Sequence, residues 1–122
     1  MAVRLEPRKF FDSFPETRWA AQIDDMGNVL FSAMRPGRES LIPENEITVF
    51  MEADRGKAIL KASEGLSDWL GGVECALVRY KKVFLFVIQL EGSILVLSVD
   101  RVTSLAQIAE IAQSVLVELH LA

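Results

Sequence analysis

A nucleophile with a base beside it is the first chemistry to look for in a short chain. This one holds a single cysteine, Cys75, and a single histidine, His120. A thiol attacks well only when a neighbouring base or cation stabilises its thiolate. Cys75 falls in a strand-like run and His120 at the end of the last helical pattern, so they read as a buried thiol and a helix-terminal imidazole. Paired carboxylates are the next candidates. Asp24 and Asp25 are adjacent in a turn, and Glu52 and Glu64 are far apart on one helical pattern. Acid–base work needs an environment that drives two pKa values apart, whereas turns and helix faces solvate their acids. The run Arg35-Pro36-Gly37-Arg38 offers glycine and two arginines. It lacks the G-x-x-x-x-G-K-S/T spacing that cradles phosphates, and reads as a solvent loop or as a contact for an anionic surface. No His/Cys cluster or EF-hand spacing suggests a metal. The expectation is a chain with no catalytic, cofactor-binding or metal-binding set, and hence not an enzyme.

The composition says where the sequence invests instead. Its 122 residues suffice for one domain and not for two. Hydrophobic residues make up 51% and the mean hydropathy is +0.28. Charges interrupt every apolar run before it reaches the roughly 18 residues of a membrane helix. The surplus apolar surface must therefore be buried in a core, in a subunit interface, or in a share of each. A net charge of -4 argues against binding nucleic acid through phosphates. The first residues, MAVRLEPRKFFDSFP, contain no apolar stretch of signal-peptide length, which predicts a cytoplasmic protein. A lone cysteine leaves no internal disulfide.

The elements follow from periodicity. Leu5, Phe10, Phe11 and Phe14 could form one side of a short helix that Pro7 starts and Pro15 stops. Residues 1–18 then form an arm that docks on the body or swaps onto a partner subunit. Residues 18–33 predict a hairpin, with Ala21 and Ile23 alternating with Gln22 and Asp24 around an Asp24–Asn28 turn. After a polar loop, Pro43 and the acids Glu44 and Glu46 open a helix over 44–69. Its expected stripe is Ile47, Phe50, Met51, Ala58, Ala62, Leu66 and Trp69. Gly56 and Gly65 weaken it, small residues at Ala53, Gly56 and Ala62 would admit a second helix, and Gly71-Gly72 ends it.

Three strands follow, over 73–80, 83–90 and 94–100. In the first, Val73, Cys75 and Leu77 share one face and Ala76, Val78 and Tyr80 the other. Residues 83–90, VFLFVIQL, are the most apolar run and belong in a sheet covered on both sides. Lys81-Lys82 and Glu91-Gly92-Ser93 make the turns. Ser104 and Gln107 form a capping-box pattern, and Leu105, Ile108, Ile111 or Ala112, Val115 and Leu119 are the expected buried stripe of a closing helix. The whole predicts an α+β domain in two or three layers, ordered (short α)-β-β-α-β-β-β-α around a five-stranded antiparallel sheet.

This order resembles the roadblock/dynein-light-chain family, related to profilin-like and longin-like domains, and within it small archaeal roadblock-like proteins. The residues that carry the resemblance are AAQIDDMGNVLFSA, the long helix ending in LGG, the meander from ECALVRY to LVLSVD, and SLAQIAEIAQSVLVELHL. The departure is at the N-terminus, where Pro7 and Pro15 shorten a helix that is fuller in the family. The resemblance implies a roadblock-like domain over residues 19–122, with 1–18 as the arm or short helix. It implies a homodimer, with the long helices packed together and the 73–80 strands paired across the two-fold. Phe50, Ala53, Asp54, Lys57, Leu77, Val78 and Tyr80 would then form the dimer or partner surface. It also implies a scaffold or regulator of a small Ras-like GTPase, for which Arg35 and Arg38 would offer a partner loop. The alternative from another class is a profilin-like or PAS-like small-molecule sensor, marked by a closed apolar cavity between Phe31, Phe84 and the closing helix.

Overall fold

The computed structural model describes residues 3–52, 55–101 and 104–121, with the Glu52 side chain left aside. The first hairpin joins β1 (Thr17–Asp24) to β2 (Val29–Met34). Its turn forms because the Asp24 carboxylate accepts from the Met26 and Asn28 N–H groups at 3.0 and 2.8 Å, while Gly27 takes a φ of 85°. The meander comprises β3 (Cys75–Arg79), β4 (Val83–Leu90) and β5 (Ser93–Asp100). All pairings are antiparallel and the strand order is β2-β1-β5-β4-β3, so β5 docks on β1 and closes one five-stranded sheet. The predicted five-stranded α+β architecture is the one observed.

Two helical layers cover the sheet. Phe84, Phe86 and Ile88 of β4 and Leu95, Leu97 and Val99 of β5 face α1 (Pro7–Ser13) and α5 (Leu105–Glu118). Leu85, Val87, Ile94 and Val96 face α2 (Glu44–Glu52) and α3 (Arg55–Lys61). Burial on both faces is why β4 reads as a continuous apolar run rather than an alternating one. Phe10, Phe11 and Phe14 lie within the α5-side core, and Pro7 occupies the first turn of α1.

The predicted helix over 44–69 is corrected. The chain forms α2, then α3, then a 3₁₀ turn over Glu64–Leu66 and a short α4 (Ser67–Leu70) that Gly71 stops with a φ of 85°. The apolar stripe of α2, with Met51 buried, continues in α3 through Gly56 and Leu60 instead of Ala58 and Ala62, which are exposed. Leu66 and Trp69 are 58% and 77% exposed, so nothing packs on this segment to sustain a helix. Gly56 does permit a close approach, but to the sheet: a Cβ there would lie 3.2 Å from Val96 Cγ2.

Two further faces differ from expectation. Val73 precedes β3 and packs with Ala76 and Val78, not with the face of Cys75 and Leu77. Leu105 is 70% exposed because it opens the first turn of α5, ahead of the buried Ile108, Ile111 and Val115. Ser104 caps α5 as predicted, accepting from Gln107 N–H at 3.1 Å. At the other end His120 adopts a φ of 59°, its N–H reaching Val117 O and that of Leu121 reaching Leu116 O. That pair of bonds is a Schellman stop with histidine in the usual glycine position, consistent with a helix-terminal imidazole.

Candidate functional site

The sheet has two outer strands, and they differ in cover. Along β2 the Arg4 guanidinium donates to Leu30 O at 3.1 Å and its cation lies 5.7 Å from the Phe31 ring centre. Along β3 two bonds fix which groups face outward. Tyr80 N–H donates to Val83 O at 2.9 Å, and Gln89 N–H to Glu74 O at 2.8 Å. Antiparallel ladders alternate, so Ala76 and Val78 bond to β4 while Cys75, Leu77 and Arg79 direct their N–H and C=O groups away from the sheet. Among the described residues no side chain donates to those outward groups.

Leu77 on this strand and Tyr80 just after it are 45% and 49% exposed; in α4, ahead of the strand in the chain, Trp69 and Leu70 are each 77% exposed. Val78 is half-buried against the α2–α3 side, and Lys57 lies exposed on α3. Ala53 and Asp54, which the resemblance places in the same surface, lie outside the described residues. Cys75 is exposed, contrary to the expected burial, because β3 is outermost and α5 packs over the central strands. Partial desolvation, with the Glu74 carboxylate adding to it, holds the thiol above its ordinary pKa. It stays protonated near neutrality and is a poor nucleophile.

The arginines of the 35–38 loop are held internally. Arg35 donates from Nε to Thr17 O at 2.6 Å and from one terminal nitrogen to Phe11 O and Phe14 O at 2.5 and 2.8 Å. Its cation lies 5.3 Å from the Phe11 ring centre. It thereby ties the carbonyls at the end of α1 to β1. Arg38 pairs with Asp100 at 2.5 Å and Arg18 with the same carboxylate at 2.8 Å, while Arg18 also donates to Glu39 O at 2.9 Å. This clasp fixes the loop that leads to Leu41 and Ile42.

Burial by itself would raise the Asp100 pKa; the hydrogen bonds and charges of Arg18 and Arg38 outweigh it and hold the carboxyl below the usual range. A carboxylate lowered in the folded state contributes stability above its unfolded pKa, and that contribution is lost as pH falls through the folded value. Thermal melts of the wild type and Asp100→Asn should therefore differ most near neutrality and converge only as the pH falls below the folded-state pKa of Asp100. A gap that persists unchanged at the acid end would show that charge is not what the clasp supplies.

Between α2, the 40–42 loop and the β3–β4 turn lies a groove of about 620 Å³. Trp19 lies on its floor, its indole N–H donating to Ser32 Oγ at 3.0 Å and its ring edge-on to Phe50 at 6.3 Å. Phe50, predicted as an interface residue, is half-buried here. Leu41 and Ile42, each 50% exposed, form one wall. Their signal in the sequence is an apolar pair between a Pro/Gly loop and a helix start. On the other face, where a sensor cavity would lie, Phe31 and Phe84 pack into one core with Ile108 and Val115 of α5.

Among the described residues no group of three or more His, Cys, Asp or Glu could hold a metal ion, and no helix is long and apolar enough to cross a membrane. Asp24 is absorbed in its turn, where the Asn28 N–H above all keeps its carboxyl below the ordinary value.

No family model and no curated protein matches the sequence. Solved structures do match the fold. The gliding protein MglB from Thermus thermophilus superposes with a TM-score of 0.62 at 20% identity, over 88% of this chain and 79% of its own. A Roadblock/LC7 domain from Streptomyces avermitilis gives 0.59 at 16% identity and 93% of both chains. MglB from Myxococcus xanthus gives 0.58 at 18% identity, over 88% and 81%. The chain has the roadblock/LC7 fold, as its element order implied.

Proposed function

We propose that this chain is a non-enzymatic, roadblock-like interaction module that works as a cytoplasmic homodimer and binds or regulates a small Ras-like GTPase. The observation that carries self-association is the unequal cover of the two sheet edges. An uncovered row of strand donors and acceptors is a template for another strand, and a second copy joined about a two-fold axis supplies one without a new surface. The exposed apolar side chains beside β3 give such a contact something to bury. A similar structure is described as MglB with a tetrameric arrangement, so self-assembly occurs in a protein of this fold. The GTPase role rests on the family resemblance.

Sedimentation velocity across the micromolar range tests the first part, and a strict monomer throughout would end the homodimer reading. The second part is tested by mixing the purified chain with Ras-like GTPases of its own host, loaded with GDP or with a non-hydrolysable GTP analogue. A complex that prefers one nucleotide state is expected. Absence of a complex in both states removes the GTPase and leaves the dimer standing.

A further inference from the structure

The groove beside Trp19 has a chemistry that pairing through β3 does not use. Its floor is apolar, with Trp19 and Leu85 buried and Ile47 and Phe50 half-buried around them. Its rim is cationic. Arg55 at the start of α3 and Lys81 and Lys82 in the β3–β4 turn are exposed there, and none of their cationic groups has a hydrogen-bond or ion-pair partner among the described residues. Arg18 also lines the groove, but its guanidinium is already engaged by Asp100, which it shares with Arg38. Among the described residues Glu46 is the one acid on the lining. In a chain of net charge -4, three exposed cations against one acid among the described lining residues make this apolar opening locally basic.

We propose that the groove binds a long-chain aliphatic carboxylate, its tail on the Trp19–Leu85 floor and its head among Arg55, Lys81 and Lys82. The volume of about 620 Å³ falls within the range of small-molecule sites. Each half of the ligand answers a different half of the site. An apolar tail removes the exposed floor from water, and a carboxylate is the head to which a guanidinium fork donates two parallel bonds. A neutral or cationic head leaves the rim unpaired, and a small polar anion leaves the floor wet. Phe50 and Tyr80 belong both to this lining and to the surface proposed for self-association, so binding is read alongside assembly.

Trp19 supplies the readout. In a Trp69→Phe background, which removes an exposed indole away from the groove, emission reports the floor alone. Titration with dodecanoate below its micellar concentration should shift that emission saturably. Dodecyltrimethylammonium, with the same tail and the opposite charge, should bind at least about tenfold more weakly. The Lys81→Glu/Lys82→Glu variant should lose about tenfold for dodecanoate and gain for the cationic amphiphile. Circular dichroism and light scattering on the same samples separate these effects from unfolding and from changes of assembly. Equal binding of the two amphiphiles, or a silent Trp19, overturns the proposal. So does dodecanoate binding that dissociates an oligomer in step with occupancy, because the groove is then a contact between copies.

Discussion

Replacing Phe10 with alanine is expected to lower the stability of the fold by about 3–5 kcal/mol, measured by urea unfolding of both proteins. Phe10 is fully buried, in one core with Phe11, Phe14, Phe31 and the α5 residues Ile108 and Val115. A helix as short as α1 has no stability of its own in water, so its position is set by what its side chains and carbonyls meet. Arg35 binds the carbonyls of Phe11 and Phe14. The buried Gln22 amide fastens the segment ahead of it: Leu5 N–H donates to Gln22 Oε1 at 2.8 Å, and Gln22 Nε2 donates to Val3 O at 2.8 Å and Ser93 Oγ at 2.9 Å. Removing the Phe10 ring leaves a cavity walled by β-strand residues that cannot collapse into it. The transition should stay cooperative with an unchanged slope against urea, because the same surface is exposed on unfolding. A loss below about 1 kcal/mol would mean that α1 is an appendage and that the sheet holds this face without it.

What the sequence discloses, and what it withholds, follows from how each feature is encoded. β4 is legible because burial on both faces writes a continuous apolar run, and the turn at Asp24 because its side chain must cap its own backbone. The two-layer cover of the sheet follows from the same apolar runs. The break after Lys61 is not legible, since Leu66 and Trp69 continue a helical spacing and only the absence of a packing partner ends the helix. Cys75 reads as buried for a related reason: alternation gives the face of a strand but not its place in the sheet. The roles of Arg35 and Gln22 are hidden more deeply. Their partners are main-chain groups of Phe11, Phe14, Thr17, Val3 and Leu5, and a carbonyl has no signature in sequence. The groove is hidden because its floor and rim come from β1, α2, α3 and the β3–β4 turn, which only the folded topology brings together.

The edge of β3 allows a sharper test than disruption of the strand, because neighbouring residues there direct their N–H groups in opposite directions. Leu77 N–H points out of the sheet, whereas Val78 N–H lies in the ladder opposite Leu85. Proline removes one donor and is tolerated on the solvent side of an edge strand. The extended conformation it imposes on Ala76 is the one that residue already has as part of β3. At a protein concentration where both proteins are monomeric, Leu77→Pro should therefore keep the circular dichroism and unfolding midpoint of the wild type nearly unchanged, while at higher concentration it should weaken the proposed association about 10- to 100-fold. The weakening comes from an unpaired carbonyl on the second copy and from a ring standing where its strand must approach. Val78→Pro removes a bond inside the protomer and leaves the Leu85 carbonyl without its donor in a buried strand, at a cost of about 1–3 kcal/mol. Its proposed self-association should fail together with its fold. The informative quantity is the difference between the variants, read as sedimentation mass against unfolding midpoint. Loss of mass without loss of midpoint in Leu77→Pro means that the outward groups of β3 hold the second subunit. If Leu77→Pro instead stays dimeric at the wild-type affinity, the two-fold contact lies elsewhere, and the exposed α2–α4 surface becomes the place to look for it.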